Sequence, residues 1–297
     1  MSAPQAVGLQ QAARSAAPPQ RGRFTAARLR RNPIGIAGLV IVLGTVLVAL
    51  GGPLLWRVNY ADQAWHRLLA PSLAHPMGTD ELGRDELARV IHGASVSLQV
   101  GIIAVLIAFA LGSTIGVFAG FYRGRTDAVL MRILDIIFAV PGLVLAIMIA
   151  GLLGPTRTNA MIAIGIIYAP AFGRVVRGSA LSIMGLPHVE AARSIGASDL
   201  RIVARHLIPN LIAPVIILVT VYLSTAILTE AALSFLGLGT QPPEPSWGNM
   251  LNTARSYMEL APWLVIYPGL AIMIVVLGFN FLGDGMRDIL DPRLREV

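Results

Sequence analysis

Long apolar runs alternate with short polar segments along the whole chain. Residues 34–55, 96–122, 128–153, 160–176, 211–238 and 263–282 are each close to the length that a helix needs to cross a hydrocarbon layer of about 30 Å. The pattern predicts six transmembrane helices in an all-α integral membrane protein. The fourth run has the shortest apolar part, and Pro170 interrupts it, so tilting, kinking or packing among other helices is expected there.

One segment breaks the pattern. Residues 187–210, "PHVEAARSIGASDLRIVARHLIPN", are charged and helical in period, yet lie between two very apolar runs. Placing Glu190, Arg193, Asp199, Arg201 and Arg205 in a bilayer would cost roughly 2.5 to 3.5 kcal/mol each, so the segment belongs in water. Pro187 suits a first helical turn, Glu190 suits its positive end, and Gly196 suits a helix-ending position. Ser198 or Asp199 can cap a second piece that Pro209 ends. Val189, Ala192 and Ile195 form an apolar strip suited to a partner's groove, with Arg193 and Arg201 available to acidic partners.

Composition agrees with a membrane protein. Of 297 residues, 55% are hydrophobic and 13% charged, against about 25% charged in soluble domains. With 0 Cys there is no disulfide or thiolate metal site. The formal charge of +7 comes with 23 basic residues, all arginine. Having no lysine, the chain cannot supply a nucleotide-binding loop of the G-x-x-x-x-G-K-[ST] type, so any ATP hydrolysis would lie on another polypeptide. With both termini cytoplasmic, 17 of the 23 arginines fall on that side, as the positive-inside rule requires. Orientation rather than nucleic-acid binding therefore accounts for the basic balance.

Four regions follow. Residues 1–33 read as a disordered basic cytoplasmic tail rather than a cleavable signal, because the next apolar run is too long and lacks a small-residue cleavage site. Residues 34–95 give the first span and an external loop, residues 96–284 a five-helix core with a cytoplasmic loop at 181–209, and residues 285–297 a second cytoplasmic tail. The external segments 57–95 and 239–262 are rich in Pro, Gly and Trp, which suits ordered loops and interfacial anchoring, and they are the surfaces an outside partner would meet.

Within the core, Gly112, Gly116 and Gly120 share one helix face and allow another backbone close, in this chain or a partner. Asp135 and Glu230 are the ionisable residues at membrane depth, hence pathway or gate candidates. Asp135 also has Arg132 as a local candidate partner, and Glu230 turned inward would equally serve as buried glue. An intramembrane protease is the rival class. A serine protease needs His at depth, but His66, His75, His92, His188 and His206 all fall outside the apolar cores. An aspartyl protease would have to use Asp135 with Asp284, and neither has fitting neighbours. No histidine pair has the H-E-x-x-H spacing, so no metal site is expected.

The segment "EAARSIGASDLRIVARHLIP" resembles the EAA loop of ABC importer permeases, with Glu190, Ala191, Ala192, Gly196 and Pro209 at its marking positions. "HPMGTDELGRD", "ILTEAALSFLGLGTQPPEPSWGNML" and "FNFLGDGMRDILDPRLR" extend the resemblance to the C-type permease subunit of dipeptide, oligopeptide and nickel importers, over residues 31–294. His206 stands where the general pattern has an apolar residue, and His188 replaces an aromatic often found just before the motif. The resemblance implies a type I ABC importer fold in a prokaryotic cell membrane. It also implies a heterodimer with a second permease chain, two ATPase subunits carrying ATP and Mg, and an extracytoplasmic binding protein. In such a permease Glu190, Ala191, Ala192, Arg193, Gly196 and Pro209 would couple to the ATPase, and this chain itself would bind no cofactor. Peptide is the implied cargo, with nickel or another small solute as the alternative.

Overall fold

A computed structural model describes residues 32–290. Helix α1 (Pro33–Leu55) starts where Asn32 accepts a hydrogen bond from the Gly35 N–H at 3.0 Å, with Pro33 in the first turn. Helix α2 (Glu86–Tyr122) has 37 residues, roughly 55 Å at 1.5 Å per residue, and so projects well beyond a bilayer core. It begins ten residues ahead of the apolar run at 96, because Asp85 caps it by accepting from the Ala88 N–H at 2.8 Å.

The expected third span, 128–153, is not one helix. It divides into α3 (Gly124–Phe138) and α4 (Gly142–Leu153), bent by 87°. Pro141 lies in the break; it has no N–H to donate and disfavours helical geometry at Val140. Hydropathy runs straight through the break because every residue in it is apolar or small.

Helix α5 (Arg157–Met184) is longer than the expected 160–176 and is the most buried of the spans. Its modest apolar signal comes from small residues, among them Ala160, Ala163, Gly165 and Gly173, that let neighbours approach, and Pro170 stays within the helix. Three short pieces follow: α6 (Pro187–Ser194), α7 (Asp199–Ile202) and a π turn at Val203–Leu207. The chain then runs on as α8 (Ile208–Phe235). Pro209 does not end the helix as the sequence suggested; it occupies the first turn of α8, and the π turn before it accommodates its missing donor. Beyond α8 lie α9 (Trp247–Ala254) and α10 (Trp263–Leu290). Six residues expected in the C-terminal tail, 285–290, are thus helical, while the tails at 1–31 and 291–297 lie outside the described residues.

Among the described residues, five helices are long and apolar enough to cross a membrane, or six when the α3–α4 pair counts as one span. In lipid, apolar burial drives little helix association, so close packing of small residues must hold the bundle. The α2–α5 seam shows how. A Cβ on Gly112 would collide with the Ala169 carbonyl, one on Gly116 would lie 2.9 Å from the Val176 Cβ, and one on Gly120 3.1 Å from the Arg177 carbonyl. The glycine face packs within this chain, on α5. Phe172, Ile164, Val105 and Leu233 fill the core beside it, and α1 packs on α10 at the far side.

Candidate functional site

Helix α6 stands at one end of the bundle, held by its apolar side. Val189 is buried with Phe121 of α2, Val176, Ala180 and Ile183 of α5, and Ile202, Leu207 and Leu211 beyond. Ala192 is buried one turn on. The strip Val189, Ala192 and Ile195 therefore does not face outward as a unit. Two of its members anchor the helix to its own chain, and only Ile195, 86% exposed, is left for contact with another molecule, together with Leu200 at 79%. Glu190, Ala191, Arg193 and Ser194 are also exposed.

The end of α6 is a Schellman motif. The Gly196 N–H donates to the Arg193 carbonyl at 3.0 Å and the Ala197 N–H to the Ala192 carbonyl at 3.1 Å, with Gly196 at φ +79°. Nothing lies within 4 Å of a Cβ built there, so the requirement for glycine is conformational rather than steric. His188 and His206 face each other across the loop, ring centroids 5.7 Å apart.

Two ion pairs join α3 to α5. Asp135 does not pair with Arg132. Its carboxylate accepts from Arg174 at 2.7 Å, and that guanidinium also lies 4.1 Å over the Phe138 ring. About two turns back toward the start of α3 in the same seam, Asp127 accepts from both the Nε and a terminal nitrogen of Arg177. The Asp135 and Arg174 side chains are half exposed in the single chain. Charges so placed on a membrane helix require water or another protein, not lipid, beside them.

Glu230 is placed inside the chain, 1% exposed. It accepts from Ser97 of α2 at 3.2 Å and from Ser234, one turn along α8, at 2.7 Å. Ser234 in turn accepts from the Thr240 N–H, and the Thr240 carbonyl accepts from Asn249 of α9. This network ties the loop after α8 down onto the bundle. Trp247 is part of the same region and is buried, donating its indole N–H to the Val90 carbonyl at 3.1 Å, so it packs in the interior rather than anchoring at an interface.

Sequence reasoning missed one cluster. Between α1 and α2, Asp80 accepts from the Arg84 Nε at 2.5 Å and pairs with Arg89 at 3.3 Å, while Arg84 reaches Glu81 at 2.9 Å. Asp85 accepts from the Trp56 indole at 3.1 Å and meets the His75 Nδ1 at 2.9 Å while capping α2. Burial, then the neighbouring Asp80 carboxylate, pushes the Glu81 pKa up against the pull of Arg84 and Arg89. The D-x-x-x-R spacing of Asp80 and Arg84 was the available signal. "HPMGTDELGRD" is thus largely a folding knot, and the neighbouring exposed residues, such as the fully exposed Leu73, form the surface a partner can meet.

Residues 112–296 match the family described as binding-protein-dependent transport system inner membrane component, and residues 23–71 match the N-terminal transmembrane domain of oligopeptide transport permease C. The chain belongs to that permease family. It is 44% identical over 287 residues to the dipeptide transport system permease protein DppC of Alkalihalophilus pseudofirmus, covering 94% of each chain. It is 43% identical over 272 residues to the glutathione transport system permease protein GsiD of Pectobacterium atrosepticum, covering 90% of each. A putative peptide transport system permease protein of Brucella abortus is 44% identical over 275 residues, with 92% of each chain covered. A solved structure of the MetNI methionine ABC transporter in inward-facing conformations aligns with a TM-score of 0.56 and 19% identity, over 68% of this chain and 96% of the other. At that identity the likeness establishes the fold, that of an ABC importer permease. Membership makes the chain a multi-pass inner-membrane permease subunit, which works with an ATPase and a substrate-binding partner.

Proposed function

We propose that this chain forms half of the translocation pathway of an importer for dipeptides or oligopeptides, beside a second, different permease subunit. Two ATPase subunits would bind ATP and Mg, and an extracytoplasmic binding protein would deliver the cargo. The observation that carries the cargo class is the set of relatives above, whose printed names are those of dipeptide, glutathione and peptide permeases. Both termini and α6 face the cytoplasm in this reading, following the arginine distribution.

Helix α6 would be the coupling helix. Glu190, Ala191, Arg193 and Ile195 offer the ATPase a mixed polar and apolar surface, while Val189 transmits displacement into the ends of α2, α5 and α8. Ala192 anchors the same helix, Gly196 sets its exit direction, and Pro209 sits where the loop rejoins α8. Closure of the ATPase pair would then move these ends as a unit. Because α6 rests on a packed cluster, it cannot shift without moving those ends.

Single cysteines test the arrangement without background, since the chain has 0 Cys. Leu73→Cys should react with an impermeant thiol reagent outside intact cells and Ser198→Cys should not. Ala191→Cys should crosslink to the ATPase in the assembled complex. Labelling of Ser198→Cys from outside would overturn the orientation, and no crosslink from Ala191→Cys or its exposed neighbours would overturn the coupling role.

Asp135, with Arg174, is the proposed pathway group at the α3–α5 seam, and Glu230 would hold the external end of α8 against α2. Since Asp135 is half exposed, Asp135→Asn should cost less than about 1 kcal/mol of stability. Uptake should nevertheless change while abundance holds. Unchanged uptake across substrate concentrations would leave the pair a plain surface ion pair.

A further inference from the structure

We propose that the hollow between the start of α2, the loop before it and α9 is a proton site: Glu86 packs there as a neutral carboxylic acid, and its ionisation loosens α9 from α2. Three carboxyls and two guanidiniums meet at this end of the bundle. Asp80 engages both Arg84 and Arg89, and Glu81 takes the other reach of Arg84. Glu86 is the carboxyl in excess. It is 2% exposed, yet takes part in no ion pair or side-chain hydrogen bond among the described residues.

The side chain cannot reach water unless the backbone around it moves. The Glu86 N–H donates to the Gly78 carbonyl at 3.1 Å, and the neighbouring Asp85 already fills the capping place where a helix start favours an anion. Glu86 lines the hollow together with Asp80, Glu81 and Arg89. Met250, Thr253 and Ala254 of α9 and Leu264 of α10 close it. None of these four answers the carboxyl, since the Thr253 hydroxyl donates to the Asn249 carbonyl at 3.3 Å and the others are apolar. The charged groups facing Glu86 are therefore Asp80, Glu81 and Arg84 from the loop and Arg89 from α2, and α9 and α10 add none.

With about 10 Å³ for the centre of a solvent molecule, the hollow is at the lower limit for a single water. Arg89 on its wall repels a metal ion, whereas a proton bonds to the carboxyl itself and leaves two anions balanced by two cations. Burial, against the pull of Arg89 and with the push of Asp80 and Glu81, raises the Glu86 pKa to about 8. An anion here lacks the solvation that parting α9 from α2 would restore. With the helices parted, Glu86 would titrate near its ordinary 4.5, so the packed state holds the extra proton between about pH 4.5 and 8. Its advantage is whole below that window, falls by about tenfold per pH unit within it, and is level above. Helix α9 lies in the segment that an outside partner would meet, so the proton sets how firmly that surface is held. That side rests on the orientation proposed above.

Infrared difference spectra of the purified, assembled transporter, unchanged against Glu86→Gln, should show the carbonyl stretch of a protonated carboxylic acid at about pH 6, fading with a midpoint near 8. Ala254→Cys, buried on α9, should react with a thiol reagent at a rate that rises, relative to the exposed Leu73→Cys, by about tenfold per pH unit up to about pH 8. Adding Glu86→Gln should flatten that rise, and adding Glu81→Gln should leave it. Lack of the acid band at about pH 6 would overturn the proton site, because Glu86 would then be ionised within the hollow. A flat relative rate with Glu86 in place, or an equal rise with Glu86→Gln, would overturn its hold on α9. Both readouts use purified transporter, so outside labelling of Ser198→Cys in cells would reverse the side of the membrane and leave the titration to stand or fall by itself.

Discussion

Asp80→Ala is expected to destabilise the chain by about 3–5 kcal/mol, enough to remove most assembled permease from the membrane. Asp80 is 2% exposed and is the shared anion of two buried cations, Arg84 and Arg89. It also accepts from the Leu82 and Arg84 backbone N–H groups, each at 2.9 Å. Truncation leaves Arg89 without its counter-charge, Arg84 with Glu81 alone, and two N–H groups without an acceptor, and the large cost comes from stranding the partners rather than from losing a favourable contact. Asp80→Asn, which keeps one acceptor oxygen, should fall between. Thermal unfolding of the purified complex and its abundance in membranes measure both. An Asp80→Ala protein as abundant and as stable as the unchanged one would mean that Arg84 and Arg89 find water or Glu81 instead, and that the knot contributes nothing to the fold.

That knot also marks a limit of reading from sequence. Helices α1 and α10 were legible at 34–55 and 263–282 because much of their surface is left for lipid, and their apolar content is correspondingly high. Helix α5 gives the shortest apolar run for the opposite reason: it lies inside, where Ala and Gly serve packing better than Leu. Hydropathy carries no direction, so the bend at Pro141 was hidden in an unbroken apolar run. The first turns of α2 were hidden too, because Asp85, Arg89 and His92 look like loop until their partners at His75, Asp80 and Tyr60 are known. Spacing alone exposed the glycine face, but only the fold shows that α5 fills it. Polarity likewise exposed α6, yet which side of that helix is anchored depends on residues from α2, α5 and α8, far away in sequence.

Gly196→Val should abolish most ATP-driven uptake while leaving abundance near normal. The position is at φ +79° and its surroundings are open, so valine meets no steric clash and the whole penalty falls on the backbone. A β-branched residue held there costs about 1–3 kcal/mol, which the exposed loop relieves by leaving the Schellman turn. The bonds from Gly196 to Arg193 and from Ala197 to Ala192 are then lost, and with them the angle between α6 and α7. The buried anchors Val189 and Ile202 lie on either side of that angle, so the α6 surface would reach the ATPase misdirected. If the turned state is required for docking, 1–3 kcal/mol corresponds to about a 5- to 150-fold loss in coupled transport. Gly196→Asn is the control, since asparagine tolerates the left-handed region better than other side chains, and it should retain most activity. Uptake by Gly196→Val equal to that of Gly196→Asn, with both well inserted, would show that the turn's geometry is irrelevant to coupling.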